Sequence, residues 1–245
     1  MIEINVKHNF DQTIKLLSQS VRKQVPYAAA KTLNKLADHI KRATISEMKQ
    51  KFDRPTPFTL NSLFIRGATK QKLTARVYVK DRELAKSKAL SESLGHQFGG
   101  GQRIRKRLEF WFTQAGYISS YEYLVPASGA ELDAYGNISL GQITKVLSQL
   151  QAGSDATSYR TGSSRSRAKR AAAGYFWSRG GNLKRGVWQR FGFAAGGAVK
   201  PVLLVSKAPI YKQRIDMDKL AKQVIARDFD AEFKKQFDEA VRTAR

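Results

Sequence analysis

The sequence predicts an α+β fold in which long N-terminal and C-terminal helices pack on a small antiparallel sheet, with a long basic insertion between strands. Apolar residues recur at helical spacing over residues 10–52 and again from Ile215 onward. Between these runs, residues 73–80 alternate apolar and polar side chains, which is the pattern of a half-buried strand. Each amphipathic helix has one apolar stripe to bury, so we expect both to lie on the sheet.

We expect residues 1–81 to form an edge strand, a long helix and a hairpin of the core domain. Residues 1–6 alternate apolar and polar side chains, as a short strand does. Pro26 falls inside the helical run, and because proline lacks an amide donor we expect a kink or a junction of two helices there. Residues 63–66 and 73–80 follow as the two strands of the hairpin.

We expect residues 82–185 to form a basic insertion with short helices and a mobile loop. The glycines at 99–101 are interpreted as a hinge, because the lysine and hydroxyl residue of a phosphate-binding loop do not follow them. The serine-rich residues 157–169 predict the mobile loop. Ser139 is a good N-cap for a helix that we expect to end at Gly153 and to bury a stripe of Leu140, Ile143, Val146, Leu147 and Leu150.

Residues 186–245 are expected to return to the core domain with its remaining strands and the C-terminal helix. Residues 187–193 and 201–205 predict two of these strands. Asp216 suits the N-cap of the terminal helix, whose apolar stripe extends from Met217 to Val241.

Charge is the most informative property of the composition. The 245 residues include 44 Lys and Arg against 20 Asp and Glu, a formal net charge of +24. A surface this basic indicates a polyanionic partner, for which nucleic acid and an acidic protein surface are the main candidates. The excess is densest over residues 154–200, which hold ten basic residues and one acid, Asp155.

The middle of the chain supplies the predicted polyanion-binding residues. Lysine and arginine at this density neutralise backbone phosphates and gain affinity from counterion release. Tyr159, Tyr175, Trp177 and Trp188 offer stacking faces to bases, although the interpretation that we favour places them in the core. The predicted polyanion-binding set is Arg103, Arg105, Lys106, Arg107, Arg160, Arg165, Arg167, Lys169, Arg170, Arg179, Lys184 and Arg185.

No set of residues in the sequence predicts catalysis, a cofactor or a metal site. The chain has no cysteine, which excludes disulfides, thiolate ligands and a cysteine nucleophile. Glu131 and Asp133 share a loop, where they either hold a metal or, as we favour, serve turn formation. His96 has no partner at ligand spacing and is expected on the surface. No apolar run approaches the roughly 18 residues needed to cross a bilayer, so no membrane partner is expected.

Short segments of the chain resemble structural proteins of long-tailed bacteriophages. Residues 25–37 carry a Val-Pro pair, an alanine run and Asn34, and they resemble the helix that opens phage minor tail protein Z, of the tail-completion family. The other segments that resemble minor structural proteins encoded by prophages are residues 54–63, 68–70, 79–81 and 132–139.

The resemblance implies a non-enzymatic virion protein, a tail-completion or neck component at the head-proximal end of the tail that joins the tail to the connector. The implied partners are other copies of the chain in a hexameric ring, neighbouring tail terminator, tail tube or connector proteins, and genomic DNA in the channel. The implied location is the virion, with assembly in the host cytoplasm. The alternative, based on charge alone, is a stand-alone, sequence-independent nucleic-acid-binding protein, and a nuclease is the least favoured third class.

Overall fold

The computed structural model describes residues 2–5, 19–80, 90–153, 174–191 and 198–243. Within these ranges the chain has the predicted α+β fold, with a long helix near each end and antiparallel sheets. The described helices are α1 (Gln19–Lys51), α2 (Pro57–Leu60), α3 (Leu90–Gly99), α4 (Arg107–Gln114), α5 (Leu140–Leu150) and α6 (Met217–Arg242). The described strands are β1 (Ile2–Asn5), β2 (Leu63–Arg66), β3 (Thr74–Val79), β4 (Gly101–Gln102), β5 (Tyr123–Pro126), β6 (Tyr175–Ser178), β7 (Gly186–Phe191), β8 (Ala198–Ser206) and β9 (Ile210–Tyr211).

The chain divides into two compact units. The first comprises residues 1–101 together with 212–245, and the second comprises residues 102–211. This division differs from the boundaries expected after residues 81 and 185. Strand pairing is the reason, because β7 and β8 pair with each other and with β6 and β5. The strands expected to complete the core domain of the long helices therefore belong to the sheet of the second unit.

A three-stranded antiparallel sheet of order β1-β3-β2 and the two long helices form the first unit. Val77 of the central strand pairs with Ile2 on one side and with Ile65 on the other. Ala75 and Val77 are fully buried, as the alternation of residues 73–80 predicts. Helix α1 packs against both α6 and β3. The core that they share includes Leu33, Ile40, Met48, Ile215, Met217 and Val224.

Helix α1 continues through Pro26, so the junction of two helices considered at this position is absent. A proline costs the helix one backbone hydrogen bond and crowds the preceding turn. Val25, Ala28 and Ala29 around it are buried, and we attribute the continuity of the helix to this packing. The predicted start of the helix, residues 10–18, lies outside the described residues.

Asn34 ties α1 to the chain that follows β2. Its Oδ1 accepts a hydrogen bond from the Ala68 N–H at 2.7 Å, and its Nδ2 donates to the Ala68 carbonyl at 3.1 Å. Ala68 is buried, so the asparagine satisfies backbone groups that water reaches poorly. The contact joins residues 25–37 to 68–70, two of the segments that carry the phage resemblance.

A four-stranded antiparallel sheet of order β5-β8-β7-β6 forms the framework of the second unit. Helices α4 and α5 contribute Phe112, Val146 and Leu147 to a core that also includes Val187 and Leu203 of the sheet. At the ends of this unit, β4 and β9 form a separate two-stranded ribbon. The glycine run interpreted as a hinge lies at the first of these ends.

Gly186 opens β7 at a point where the backbone leaves no room for a side chain. Its φ is +152°, and a Cβ built there would lie 2.1 Å from the carbonyl oxygen of Leu203. Glycine is the residue that accepts both the positive φ and this close approach of the neighbouring strand.

The two predicted N-caps are confirmed, while the helix stripes differ in detail. Ser139 Oγ accepts the N–H of Gln142 at 3.2 Å, and Asp216 Oδ1 accepts the N–H of Lys219 at 2.9 Å. Helix α5 ends at Leu150, earlier than the predicted Gly153, because Gln151 adopts φ +53° and closes the helix. Leu140 is 81% exposed and so lies outside the buried stripe.

Helix α6 also departs from its predicted stripe near its end. Val241 is 39% exposed there, whereas Gln236 and Ala240 are buried. The predicted mobile loop at residues 157–169 lies outside the described residues.

Candidate polyanion-binding surface

Seven of the predicted polyanion-binding residues are described, and all seven lie in the second unit. They are Arg103, Arg105, Lys106, Arg107, Arg179, Lys184 and Arg185. Those outside the described residues are Arg160, Arg165, Arg167, Lys169 and Arg170. The described set separates into arginines held by internal hydrogen bonds, an arginine paired with an acid and exposed cations.

Arg103 belongs to the interior rather than to a binding surface. Its guanidinium pairs through both terminal nitrogens with the Glu109 carboxylate, and Nη1 donates to Oε2 at 2.9 Å. The two side chains are only 10% and 1% exposed. The guanidinium also stacks on the Tyr123 ring, 4.7 Å from its centroid. A charge that is neutralised and covered in this way is not presented to an external polyanion.

Glu109 is the acid around which this cluster is built, and its role was not anticipated from the sequence. Its Oε1 accepts the N–H of Leu124 at 2.9 Å, and its Oε2 accepts the N–H of Lys106 at 2.7 Å. The bond to Lys106 is half of a capping box at the start of α4. A glutamate at the third position of a helix is the sequence signal that identifies this role.

The pKa of Glu109 lies below its usual range as the balance of two effects. Burial by itself raises the pKa of a carboxyl group, because the charged form loses its hydration. The hydrogen bonds from Arg103 and from the N–H groups of Leu124 and Lys106 favour the charged form and outweigh burial. The carboxylate and its arginine therefore remain ionised as a structural pair.

Arg105 is also occupied within the second unit. Its Nη2 donates to the carbonyl of Glu109 at 3.2 Å and to the carbonyls of Ser119 and Glu122 at 3.4 Å. The same nitrogen bonds to the hydroxyl of Thr113 at 2.5 Å. Arg105 thus joins α4 to the turn that precedes β5, and we assign it a structural role.

A groove of about 760 Å³ brings together two of the predicted residues, Lys184 and Arg185. Within it, Arg185 is bound by Glu122 through a pair of hydrogen bonds, one of them from Nη2 to Oε2 at 3.2 Å. Arg185 lowers the pKa of Glu122, and the N–H of Ser119 adds to the effect. The groove is lined by Tyr121, Glu122, Val125, Lys184, Arg185, Leu204, Val205, Ser206 and Lys207.

Lys184 and Lys207 are the exposed cations of this groove. Neither makes an ion pair with another residue of the described chain. Tyr121, beside them, is 73% exposed, and Val125, Leu204 and Val205 form an apolar lining. The groove therefore combines two free ammonium groups with an exposed ring and apolar side chains. Sequence reasoning missed Lys207 and Tyr121, which stand alone in the sequence and carry no local signal.

Lys106, Arg107 and Arg179 complete the exposed part of the predicted set. The Arg107 guanidinium lies 4.6 Å from the centroid of the Trp111 ring, a cation–π contact that leaves its charge uncompensated. Across residues 102–211 there are sixteen basic residues and five acids, and two of the acids, Glu109 and Glu122, already pair with arginines. The surface of this unit is consequently strongly positive.

Of the three described aromatic residues considered for stacking, Tyr175 and Trp177 belong to the core of the second unit, whereas Trp188 does not. Trp177 packs in a cluster with Phe112 and Tyr117, whose ring centroids lie 5.8 and 5.2 Å away. Tyr175 is buried, and its hydroxyl accepts from Gln142 Nε2 at 3.4 Å. Trp188 is half-buried and donates from Nε1 to the carbonyl of Lys184 at 2.9 Å. Tyr159 lies outside the described residues.

Asp133 serves turn formation, as favoured from the sequence. Its Oδ1 accepts the N–H groups of Tyr135 at 2.9 Å and Asn137 at 2.8 Å, and this arrangement closes the loop. In the described part of the chain, no three His, Asp or Glu side chains are grouped so that they could hold a metal ion. His96 contacts its neighbour, with 2.8 Å between its Nε2 and Gln97 Nε2.

None of the described helices combines the length and the apolar character that crossing a membrane requires. Comparisons with protein-family models, with curated proteins and with solved structures give no match to this chain.

Proposed function

We propose that this chain is a structural protein of a bacteriophage virion. In this proposal it is a tail-completion or neck component that assembles as a hexameric ring at the head-proximal end of the tail. The ring joins the tail to the connector and contacts tail terminator, tail tube or connector proteins, and the chain is not an enzyme. The sequence resemblance to minor tail protein Z supports this assignment.

The observation that carries the proposal is that segments of the resemblance meet in the first unit. Asn34, in residues 25–37, holds both backbone groups of Ala68, the first residue of the 68–70 segment. Residues 54–63 include Thr56, whose hydroxyl caps α2 by accepting the Thr59 N–H at 3.1 Å. These segments build contacts and caps rather than a reaction centre, which is the behaviour expected of a structural family signature.

The experiment that tests the proposal removes the chain from the phage that encodes it. Without this chain we expect infected cells to accumulate filled heads and separate tails, and we expect supplied wild-type chain to restore joined particles. Electron microscopy counts the two classes, and mass spectrometry of purified virions detects the chain. Normal joined particles without the chain, or virions that lack it, would contradict the proposal.

The excess positive charge is proposed to face genomic DNA in the channel of the ring. A channel that admits any genome requires contacts with phosphates rather than with base edges. Binding should then be weak, with dissociation constants of roughly 10⁻⁴–10⁻⁶ M, and should weaken steeply with salt. This behaviour also fits the alternative of a stand-alone nucleic-acid-binding protein, which the positive charge alone favours. Mass spectrometry of virions distinguishes the two functions, because a stand-alone protein would be absent from the particles.

A charge-removal variant tests the DNA contact. Replacing Arg165, Arg167, Lys169 and Arg170 together by Ala should flatten the salt dependence of duplex binding, measured by fluorescence anisotropy. A matched control removes the same charge from exposed lysines of the first unit by replacing Lys49, Lys72, Lys219 and Lys222 with Ala. Equal flattening in both variants would show that only net charge matters, and an unchanged slope in the first would contradict the assignment.

A further inference from the structure

One described loop of the second unit carries only acidic charges, although the unit as a whole is strongly basic. We call residues 130–140 the knob. It presents Leu132, Tyr135 and Leu140, which are 51%, 42% and 81% exposed. It also carries Glu131 and Asp133, while residues 127–144 contain no lysine, arginine or histidine. In a chain of net charge +24, an exposed apolar segment with only acidic charges is a distinct surface.

The knob is held in a defined shape by its own hydrogen bonds. Leu132 and Ile138 form an antiparallel bridge, and the N–H of Asp133 donates to the carbonyl of Asn137 at 2.7 Å. The N–H of Ser139 donates to the carbonyl of Glu131 at 2.8 Å, which ties the base of the knob to the start of α5. A preorganised loop loses little conformational entropy on binding, so its exposed apolar side chains are suited to docking.

The groove lined by Tyr121, Val125, Lys184, Leu204 and Lys207 is complementary to the knob in two respects. Its apolar lining matches the exposed apolar side chains of the knob. Its free ammonium groups, on Lys184 and Lys207, are opposite in charge to the carboxylate of Glu131. Charge complementarity around an apolar centre is the arrangement of a specific protein interface.

The knob and the part of the groove that includes Tyr121 and Lys207 lie at opposite ends of one strand pair. Strands β5 and β8 are antiparallel, with Tyr123 opposite Ser206 at one end and Pro126 opposite Leu203 at the other. Tyr121 and Lys207 adjoin the first end, Val125 and Leu204 line the groove along the pair, and the knob follows Pro126 at the second end. The chain after Pro126 continues away from the first end, because the N–H groups of Ala127 and Gly129 donate to the carbonyls of Val202 and Pro201. The knob thus lies beyond the end of the strand pair opposite to Tyr121 and Lys207, which leaves both surfaces available to another copy.

We propose that copies of this chain associate head to tail, with the knob of one copy seated in the groove of the next. Such a heterologous contact leaves one free knob and one free groove at the ends of any open assembly, and it closes into a ring when the rotation per copy allows. The inference rests on the proposed function only for that closure, because the contact itself follows from the two surfaces. A contact confined to one loop and one groove buries little surface and is therefore weak, and added salt weakens it further.

Two variants that each remove one side of the contact test the proposal. The knob variant is Leu132→Ser with Leu140→Ser, and the groove variant is Lys184→Glu with Lys207→Glu. The full-length wild-type chain, treated with nuclease to remove bridging nucleic acid, should associate with increasing concentration in sedimentation velocity. Each variant alone should remain monomeric, because it retains only one half of the interface.

Mixing the variants is the decisive measurement. The knob variant keeps its groove and the groove variant keeps its knob, so an equimolar mixture should form a 1:1 complex and nothing larger. A matched control, Phe58→Ser with Ile210→Ser, removes apolar side chains that are 62% and 79% exposed outside the knob and should associate like the wild type. Thermal unfolding of each variant checks that it is folded. If a double variant is unfolded, Glu131→Lys takes its place, because it leaves the apolar side chains unchanged, and it should weaken association.

A wild-type chain that stays monomeric, variants that associate like the wild type, or a mixture that forms no complex would each overturn the inference. These results are separable from failure of the proposed function. Self-association through the knob in a chain that is missing from virions would contradict only the function. A chain that joins heads to tails but does not associate through the knob would contradict only the inference.

Discussion

At the scale of single residues, the second unit depends on one buried acid. Glu109 is 1% exposed and accepts hydrogen bonds from Arg103 and from two backbone N–H groups, those of Lys106 and Leu124. These contacts connect the start of α4 to β5. Removing one partner of a buried ion pair leaves the other charge uncompensated in the interior. This loss of stability is larger than the net stabilisation that the intact pair provides.

We predict that Glu109→Gln lowers the free energy of unfolding by about 3–5 kcal/mol, because the Arg103 guanidinium loses its counter-charge in the interior. Urea denaturation followed by circular dichroism measures the difference from wild type. Glu131→Gln, at an exposed glutamate, is the control and should change stability by less than about 0.5 kcal/mol. A loss for Glu109→Gln no larger than that of the control would contradict the structural role of the pair.

The same pair predicts the direction of a pH dependence. Because the folded-state pKa of Glu109 lies below the ordinary value of 4.5, the folded protein is stabilised while the carboxyl group is ionised in both states. That stabilisation is complete above the ordinary value and is lost as the pH falls through the folded-state pKa. The stability difference between wild type and Glu109→Gln should therefore narrow from pH 6 to pH 3, and a difference that widens would contradict the assignment.

Gly186 allows a second test at the residue scale. Gly186→Ala should destabilise the protein by about 3 kcal/mol or more, since the new Cβ meets the Leu203 backbone at a positive φ. Gly141→Ala is the matched control, because no heavy atom lies within 4 Å of a Cβ built there, inside α5. Alanine in a helix should be neutral or stabilising by about 0.5–1 kcal/mol. Similar thermal unfolding midpoints for both variants would contradict the close approach of the strands.

At the scale of elements, the packing of α1 on α6 includes an ionisable contact. His39 Nδ1 and Asp228 Oδ2 lie 2.9 Å apart, and Arg227 donates to both oxygens of the same carboxylate. Arg227 in the first place, with a contribution from His39, lowers the pKa of Asp228 to about 2. The carboxylate thus links the two long helices while it is ionised.

We predict that Asp228→Asn weakens the packing of α6 on α1 in a pH-dependent manner. The folded-state pKa of about 2 lies below the ordinary value of 3.8, so the wild-type advantage is complete above about pH 4. It is lost as the pH falls from about 4 to 2. Hydrogen exchange of the α6 amides should rise in the variant at pH 6, with a smaller difference from wild type at pH 2.5, and equal exchange at pH 6 would contradict the prediction.

At the scale of the whole molecule, the second unit is one continuous segment whose ends lie together. The ribbon of β4 and β9 pairs the chain where it enters and leaves this unit. Its core is its own, with Phe112, Val146, Val187 and Leu203 among the buried residues. A segment with a separate core and adjacent ends has the properties of a domain that folds by itself.

We therefore predict that residues 102–211, expressed alone, unfold in a single cooperative transition. The fragment should show dispersed amide resonances that superimpose on a subset of those of the full chain. Residues 82–185, the insertion expected from the sequence, serve as the control and should not fold, because they lack β7 and β8. A disordered 102–211 fragment would contradict the division into units.

The sequence by itself determined the class of the fold and most of its elements. Amphipathic periodicity located α1 and α6, alternation located β3, and local capping chemistry placed Ser139 and Asp216 correctly, because all of these signals act within a few residues along the chain. Composition likewise predicted a strongly basic middle segment, since charge needs no structure to be counted.

Only the tertiary structure decided which strands share a sheet and which charges remain available. The sheet pairs β5 with β8, more than 70 residues later, and sequence pattern gives no measure of such distant pairing. Arg103 and Lys184 carry the same positive charge in the sequence, yet Glu109 neutralises the first in the interior while the second stays exposed in the groove. The physical reason is that burial and ion pairing depend on neighbours that the folded chain brings together from distant positions.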